Sequence, residues 1–144
     1  MNIIHDDFLN NKCTFTLVTG NSSFDKKGLL VMGKGATLDF KKRFPEEHKQ
    51  LSILAQNKMV TGQYYGLVIY KTKGVFQVKY FWGEPALLDL IRSSTNELIK
   101  FSKSHRDWTF AMNFPGIGAG NLAIEDVMPI VSKLPDNVYL YIKE

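Results

Sequence analysis

Leu30-Val31-Met32-Gly33-Lys34-Gly35-Ala36-Thr37-Leu38-Asp39-Phe40-Lys41-Lys42-Arg43-Phe44-Pro45 is the stretch on which the fold turns. Its first part is a loop ending in Gly-Lys-Gly. Its second part, Ala36 to Phe44, reads as a helix, because Ala36, Phe40 and Phe44 recur at every fourth position. A glycine-rich loop that runs straight into a helix aims unpaired N–H groups outward, where they attract phosphate. Glycine also lets the backbone approach an anion closely. The same residues would serve a plain loop that uses glycine for its turns. Lys41-Lys42-Arg43 falls where cations suit the helix dipole and reads as a solvated helix end.

Working outward, Cys13 to Thr19 is β-branched and aromatic and predicts a strand, and Ile3-Ile4 begins a short one. Gly20-Asn21-Ser22-Ser23 breaks the pattern. Past Pro45, Glu46 to Asn57 predicts a second helix. Tyr64 to Tyr70 and Val75 to Phe81 predict two strands around a hairpin turn at Lys73-Gly74. A long amphipathic helix is expected from Pro85 to Lys103. Trp108 to Phe114 predicts a buried strand. Ile124, Val127, Val131 and Leu134 mark a last helix, in which Pro129 is tolerable only near the first turn. Val138 to Ile142 closes as a strand. Strands alternating with helices imply one α/β domain over residues 1–144, three layers deep, around a central mixed, largely parallel sheet. Ligands of such sheets bind beyond the carboxyl ends of the strands. The loops after Thr19 and after Phe114 are therefore where chemistry is sought.

The second of these loops is Pro115-Gly116-Ile117-Gly118-Ala119-Gly120-Asn121. Three glycines at alternate positions between a strand and a helix suit an anion-binding nest of amides. The spacing is neither the dinucleotide fingerprint nor a Walker loop. Two such loops in one small sheet suggest a diphosphate held between two backbone walls.

Composition narrows the classes. Ten Phe, six Tyr and two Trp in 144 residues exclude a solvated, disordered chain. A single cysteine, Cys13, excludes an internal disulfide and a thiolate zinc cluster, and points to a reducing compartment. No apolar run reaches the ~18 residues needed to cross a bilayer. MNIIHDDFLNN lacks the regions of a signal peptide, so a cytoplasmic location with no membrane partner is expected. The net charge of +4 favours anionic ligands only weakly.

Candidate catalytic groups are few. His5, His48 and His105 are far apart and fall near predicted surface turns, so no metal site and no cofactor is expected. Glu46-Glu47 and Asp6-Asp7 are adjacent pairs whose members rarely face one another, the first reading as solvated, and Cys13 reads as packing on a core strand. Lys79 lies within Val75-Phe76-Gln77-Val78-Lys79-Tyr80-Phe81-Trp82, an apolar and aromatic strand. Lost hydration there would lower its pKa, and a neutral amine can attack an electrophilic sugar carbon to form a Schiff base. An edge-strand lysine that blocks aggregation would look the same.

Together these motifs resemble the macrodomain family, in the branch of DNA ADP-ribosyl glycohydrolase antitoxins (DarG-type) and the terminal ADP-ribose protein glycohydrolase. Leu30 to Pro45 is similar to the antitoxin pattern G-V-M-G-K-G-x-A-L-x-F-K-x-R-F-P almost throughout. Phe76 to Trp82 is similar to the F-P-T-K-x-x-W segment that carries that branch's lysine. Gly116 to Asn121 is similar to its P-L-G-x-G-N phosphate loop. Asn21 follows Asp7 at the spacing macrodomains use. The resemblance spans nearly the whole chain.

The resemblance implies a three-layer macrodomain with a pocket for ADP-ribose. Asp7 would accept from the adenine amino group. Met32, Gly33, Lys34 and Gly35, with Gly116, Ile117, Gly118, Ala119, Gly120 and Asn121, would surround the diphosphate and distal ribose. Asn21 would hydrogen-bond that ribose, and Lys79 would stand at its anomeric carbon, the two forming the catalytic pair. The implied activity is removal of ADP-ribose from a modified macromolecule, with a DNA nucleobase favoured as the attachment point and a toxin as a partner of unstated identity. Two alternatives accompany it: an ADP-ribose-binding module without catalysis, and a phosphatase acting on ADP-ribose phosphate. This sequence departs from the family in three ways. Ser22 to Leu29 looks like an insertion. Val18 stands where the family's N-x-x-N pattern has its first Asn. Asn121 replaces the Asp of the glutamyl-ester hydrolase, which tilts the implied chemistry toward nucleobase linkages.

Overall fold

Every residue of Phe15–Gly20 is buried, as a strand covered by helices on both faces must be. This strand lies inside a six-stranded sheet in the computed structural model, which describes residues 1–143. Along the chain the strands are β1 (Asn2–Ile4), β2 (Phe15–Gly20), β3 (Leu67–Tyr70), β4 (Lys73–Gln77), β5 (Phe110–Asn113) and β6 (Val138–Tyr141). The helices are α1 (Gly35–Arg43), α2 (Pro45–Lys58), α3 (Leu88–Lys103) and α4 (Ile124–Val131), with single 3-10 turns at Phe8–Asn10 and Gly118–Gly120. The spatial order is β1-β6-β5-β2-β4-β3, parallel except for the β3–β4 pair. The expected mixed, largely parallel sheet is what forms.

Side chains alternate across β2 and feed two cores. Phe15 and Leu17 join Phe76, Ile91, Leu98, Phe110 and Val127 on the face of α3 and α4. Val18 joins Phe40, Leu51, Tyr65 and Val75 on the face of α1 and α2. Phe40 is fully buried, which explains the four-residue spacing in the opening motif; truncating it to Ala would cost about 3–5 kcal/mol.

Several expected boundaries shift. The hairpin turn is at Lys71-Thr72, since Tyr70 pairs with Lys73 and Ile69 with Gly74. Gly74 is needed for close packing inside β4: a Cβ there would stand 2.7 Å from both the Leu17 and the Ile69 Cδ atoms. The turn residue with positive φ is Lys71, at 54°. β4 stops at Gln77, so Lys79 is in the loop beyond a strand and not within one. Phe81 and Trp82, expected in that strand, are exposed. Cys13 precedes β2 and is half-buried. Trp108 is exposed, and β5 begins only at Phe110. α3 begins at Leu88, three residues after Pro85. Pro129 is interior to α4, which ends two residues later, as a missing N–H and a ring clash favour.

His48 departs most from expectation. It is buried on α2, and its Nε2 pairs with the Leu30 carbonyl oxygen at 2.8 Å. One helical turn on, Ser52 Oγ accepts from the Leu30 N–H at 2.9 Å and donates to the His48 carbonyl at 2.8 Å. Helix α2 thus holds both polar groups of one loop residue. Nothing in the spacing of the three histidines could signal this, because the partner is a backbone group eighteen residues away. Among the described residues, no helix is long and apolar enough to cross a membrane.

Candidate functional site

The carboxyl ends of β2, β4, β5 and β6 face one side of the sheet, because these strands are parallel. After β2 the chain leaves toward β3 and β4, while β5 lies on the other side, so loops diverge there and leave a crevice. The crevice is a cavity of about 410 Å³. Its floor is Thr19 and Gly20 from β2 with Asn21 just beyond, Val78 and Lys79 beyond β4, Asn113 from β5 with Phe114 just beyond, and Tyr141 from β6. Asn113 secures the seam between β2 and β5: its Oδ1 accepts from the Thr19 N–H at 3.1 Å, and its Nδ2 donates to Thr19 Oγ1 at 2.8 Å.

One wall is Gly33 to Thr37, the end of the first glycine-rich loop and the first turn of α1. No side chain caps this helix, and the N–H groups of Gly35, Ala36 and Thr37 find no acceptor among the described residues. Gly35 has φ 63°, a backbone that most residues avoid. The opposite wall is Gly116 to Gly120. There Leu122 N–H donates to the Gly116 carbonyl at 2.9 Å, and Asn121 N–H to the Gly118 carbonyl at 3.0 Å. The N–H groups of Ile117, Gly118 and Ala119 are left without an acceptor among the described residues. Two rows of unpaired amides therefore flank one cavity, an arrangement suited to an anion.

The charges agree. Lys34, Lys79 and Lys143 line the cavity, and among the described residues no carboxylate does. A smaller cavity of about 150 Å³ adjoins it through Gly35, Ala36, Asn113, Tyr141 and Lys143, and is bordered by Asp6, Asp7 and Asp39. Asp7 caps the 3-10 turn through Oδ1, which accepts from the Leu9 N–H at 3.0 Å, while Oδ2 lies 3.3 Å from Lys143 Nζ. The crevice is cationic in its main chamber and largely acidic at its side.

Lys79 is half-buried. Its Nζ donates to the carbonyls of Glu84 at 3.0 Å and Trp82 at 3.3 Å. Burial pulls its pKa below the ordinary lysine value, and the neighbouring Lys34 ammonium lowers it further. Its segment is braced. The Tyr80 carbonyl accepts from the Ser22 N–H at 3.0 Å, from Ser22 Oγ at 3.1 Å and from Ser23 Oγ at 3.2 Å. Val78 is tied on both sides, donating to Gly20 and accepting from Leu87.

Of the residues expected at the site, Asn21, Gly33, Lys34, Gly35, Lys79 and Gly116 to Gly120 meet in the main cavity, and Asp7 borders the smaller one. Met32 lies outside both cavities, buried in the core of α1 and α2. Asn121 is exposed and ends the 3-10 turn at φ 61°. The Asn21 amide spans its own loop, donating to the Val31 carbonyl at 3.0 Å and accepting from the Ser23 N–H at 2.9 Å. That leaves one N–H and one lone pair for a ligand. The Ser22–Leu29 segment is an ordered small hairpin: Phe24 bridges Leu30, and Asp25 accepts from the N–H groups of Lys27 and Leu29. Sequence reading missed Asn113, Tyr141 and Lys143. Only a polar residue closing an otherwise buried strand could have hinted at the first.

No protein-family model and no curated protein sequence matches the chain. Solved structures do. The macrodomain of Thermus aquaticus DarG superposes with a TM-score of 0.74 at 20% identity, covering 99% of this chain and 97% of that one. The macrodomain of Mycobacterium tuberculosis DarG gives 0.70 at 27% identity, covering 96% of each chain. Thermosipho africanus DarTG, solved in complex with ADP-ribose, gives 0.72 at 19% identity, covering all of this chain and 42% of that one.

Proposed function

We propose, from the premise that this chain has the macrodomain fold, that its crevice binds ADP-ribose and that Lys79 breaks the bond joining the distal ribose to a modified macromolecule, with a DNA base as the favoured attachment point. The observation that carries this reading is the pairing of two walls of unpaired amides with three lysines and, among the described residues, no carboxylate in one chamber. Such a chamber fits a pyrophosphate, and the acidic side cavity offers Asp7 as acceptor for an adenine amino group.

The chemistry follows from placement. With the diphosphate held between Gly33–Thr37 and Gly116–Gly120, the distal ribose reaches toward Lys79 and Asn21, where a fixed amine gains from proximity. Neutral Lys79 Nζ attacks the anomeric carbon. The bond to the base breaks, and the base leaves with the electron pair and takes up a proton. Opening of the sugar ring gives an imine, and water hydrolyses it to release ADP-ribose and restore the amine. The lowered pKa of Lys79 raises its neutral fraction.

Calorimetry with ADP-ribose, AMP and NAD tests the binding part; selective binding of ADP-ribose is expected, and none would refute it. Lys79→Ala is expected to retain ADP-ribose affinity and to lose about a hundredfold or more of the release of ADP-ribose from a modified oligonucleotide. Normal turnover by that variant would refute the lysine mechanism. One observation favours a second reading, a binding module without cleavage: both carbonyls that receive Lys79 Nζ favour its protonated form. Tight binding with no release from any linkage would select that reading.

A further inference from the structure

Tyr65 is completely buried and lies outside both cavities. Its ring fills the core of α1 and α2, a task a phenylalanine would serve as well. A hydroxyl taken out of water must find a partner, and this one donates to the Asn21 carbonyl at 2.6 Å. Burial pushes the phenol pKa up, so the group keeps its proton and stays a donor. A Cβ on Gly20 would stand 3.3 Å from the phenol oxygen and 2.5 Å from a Val75 methyl, so the glycine that ends β2 leaves the hydroxyl its path. The peptide between Asn21 and Ser22 is gripped at both ends. Its carbonyl accepts from Tyr65, and its N–H donates to the Tyr80 carbonyl at 3.0 Å, one residue beyond Lys79. Tyr65 is fixed in turn by Gln77, another completely buried side chain. The Gln77 amide accepts from the Tyr65 N–H at 2.8 Å and the Gly66 N–H at 3.0 Å. It donates to the Gln63 carbonyl at 2.9 Å and to the Lys79 carbonyl at 3.4 Å. Hydrogen bonds and chain thus close a ring through Asn21, Tyr65, Gln77, Lys79 and Tyr80.

We infer that Tyr65 is a positioning residue for the proposed reaction: its hydroxyl sets the tilt of the Asn21–Ser22 peptide and so aims the Asn21 amide at the sugar that Lys79 attacks. The inference rests on the lysine reaction proposed above and deepens it. The Asn21 side chain is bonded within its own loop, to Val31 and Ser23, so it follows its own backbone. Without the phenol, the peptide is held through its N–H alone and can tip about that bond. A misplacement of about 1 Å at a reacting group costs up to about a hundredfold in rate. The diphosphate is held elsewhere in the proposed complex, between Gly33–Thr37 and Gly116–Gly120, so the tilt bears on turnover more than on affinity.

Tyr65→Phe removes the hydroxyl and keeps the ring, and thermal melting checks that it folds. Its kcat for releasing ADP-ribose from a modified oligonucleotide should fall about ten- to a hundredfold, with KM and calorimetric ADP-ribose affinity within about threefold. Tyr65→Met, apolar and adaptable but without a hydroxyl, is the second variant. It should show the same split even where its melting temperature differs from that of Tyr65→Phe. A double-mutant cycle separates positioning from plain support: in an Asn21→Ala chain, adding Tyr65→Phe should lower kcat by less than about twofold further. Turnover within about twofold of the unmutated chain in either folded variant overturns the inference while the lysine reaction stands. So do losses from Tyr65→Phe and Asn21→Ala that multiply in the double variant, or a fall in ADP-ribose affinity as large as the fall in kcat. An unmutated chain that binds ADP-ribose and releases none removes the reaction and this role with it, an outcome seen before any residue is changed.

Discussion

The two glycine-rich walls of the crevice are built differently. Both leave amides unpaired, but the loop leading into the first is braced by side chains: Asn21 spans it, Ser22 and Ser23 fasten the neighbouring Lys79 segment, and His48 and Ser52 hold the Leu30 carbonyl and N–H. The second is nearly bare; its internal bonds run from backbone to backbone, at Gly116, Ile117 and Gly118. The contrast assigns them different tasks. A loop fastened by side chains fixes where a reactive group stands. A wall of bare amides leaves its N–H groups for a ligand.

The sharpest way to break this comparison is Gly118→Val. A Cβ at Gly118 meets no atom within 4 Å, but its φ of 64° is one a β-branched residue strongly disfavours. A reoriented amide should lower ADP-ribose affinity about tenfold or more by calorimetry, at a stability cost of about 1–3 kcal/mol. Unchanged affinity would mean that the bare wall does not hold the ligand. A smaller effect is expected from Ser22→Ala with Ser23→Ala, which frees the Tyr80 carbonyl from two of its three donors. Turnover should fall several-fold with ADP-ribose affinity intact. A fall in affinity instead would erase the division of labour.

His48 sharpens the comparison through pH. Burial holds its pKa below the ordinary histidine value, outweighing the bond to Leu30. The unfolded chain therefore binds a proton first, and stability present above about pH 6.5 is lost as pH falls toward the depressed folded value. Thermal melting should show this loss, and His48→Gln should flatten it. The smallest effect belongs to Lys34→Met. Removing a like charge from beside Lys79 raises the Lys79 pKa, so the rising limb of the rate–pH profile should move to higher pH. A shift to lower pH would contradict the electrostatic account.

How much of this was legible follows from which groups make the contacts. The alternation of strands and helices, and both glycine loops, were readable because local spacing specifies them: Phe40 four residues after Ala36, and glycines at alternate positions from Gly116. The Lys71-Thr72 turn was not, because Gly74 has the look of a turn residue and is in fact required by packing against Leu17 and Ile69. Met32 stands beside Gly33 in sequence and faces the opposite way, into the core. Asn113, Tyr141 and Lys143 reach the crevice only through pairing of β5 with β2 and β6, which no local pattern announces. His48 was hidden for the same reason.

The bare second wall has a consequence for how such a crevice changes over generations. Its contact atoms are backbone amides, so mutation reaches them only by altering torsion angles or by bringing in proline, which lacks the N–H. Drift at Ala119 to any residue but proline thus spares the contact atoms, whereas Gly116 and Gly118, at φ 83° and 64°, hold the record of the fit.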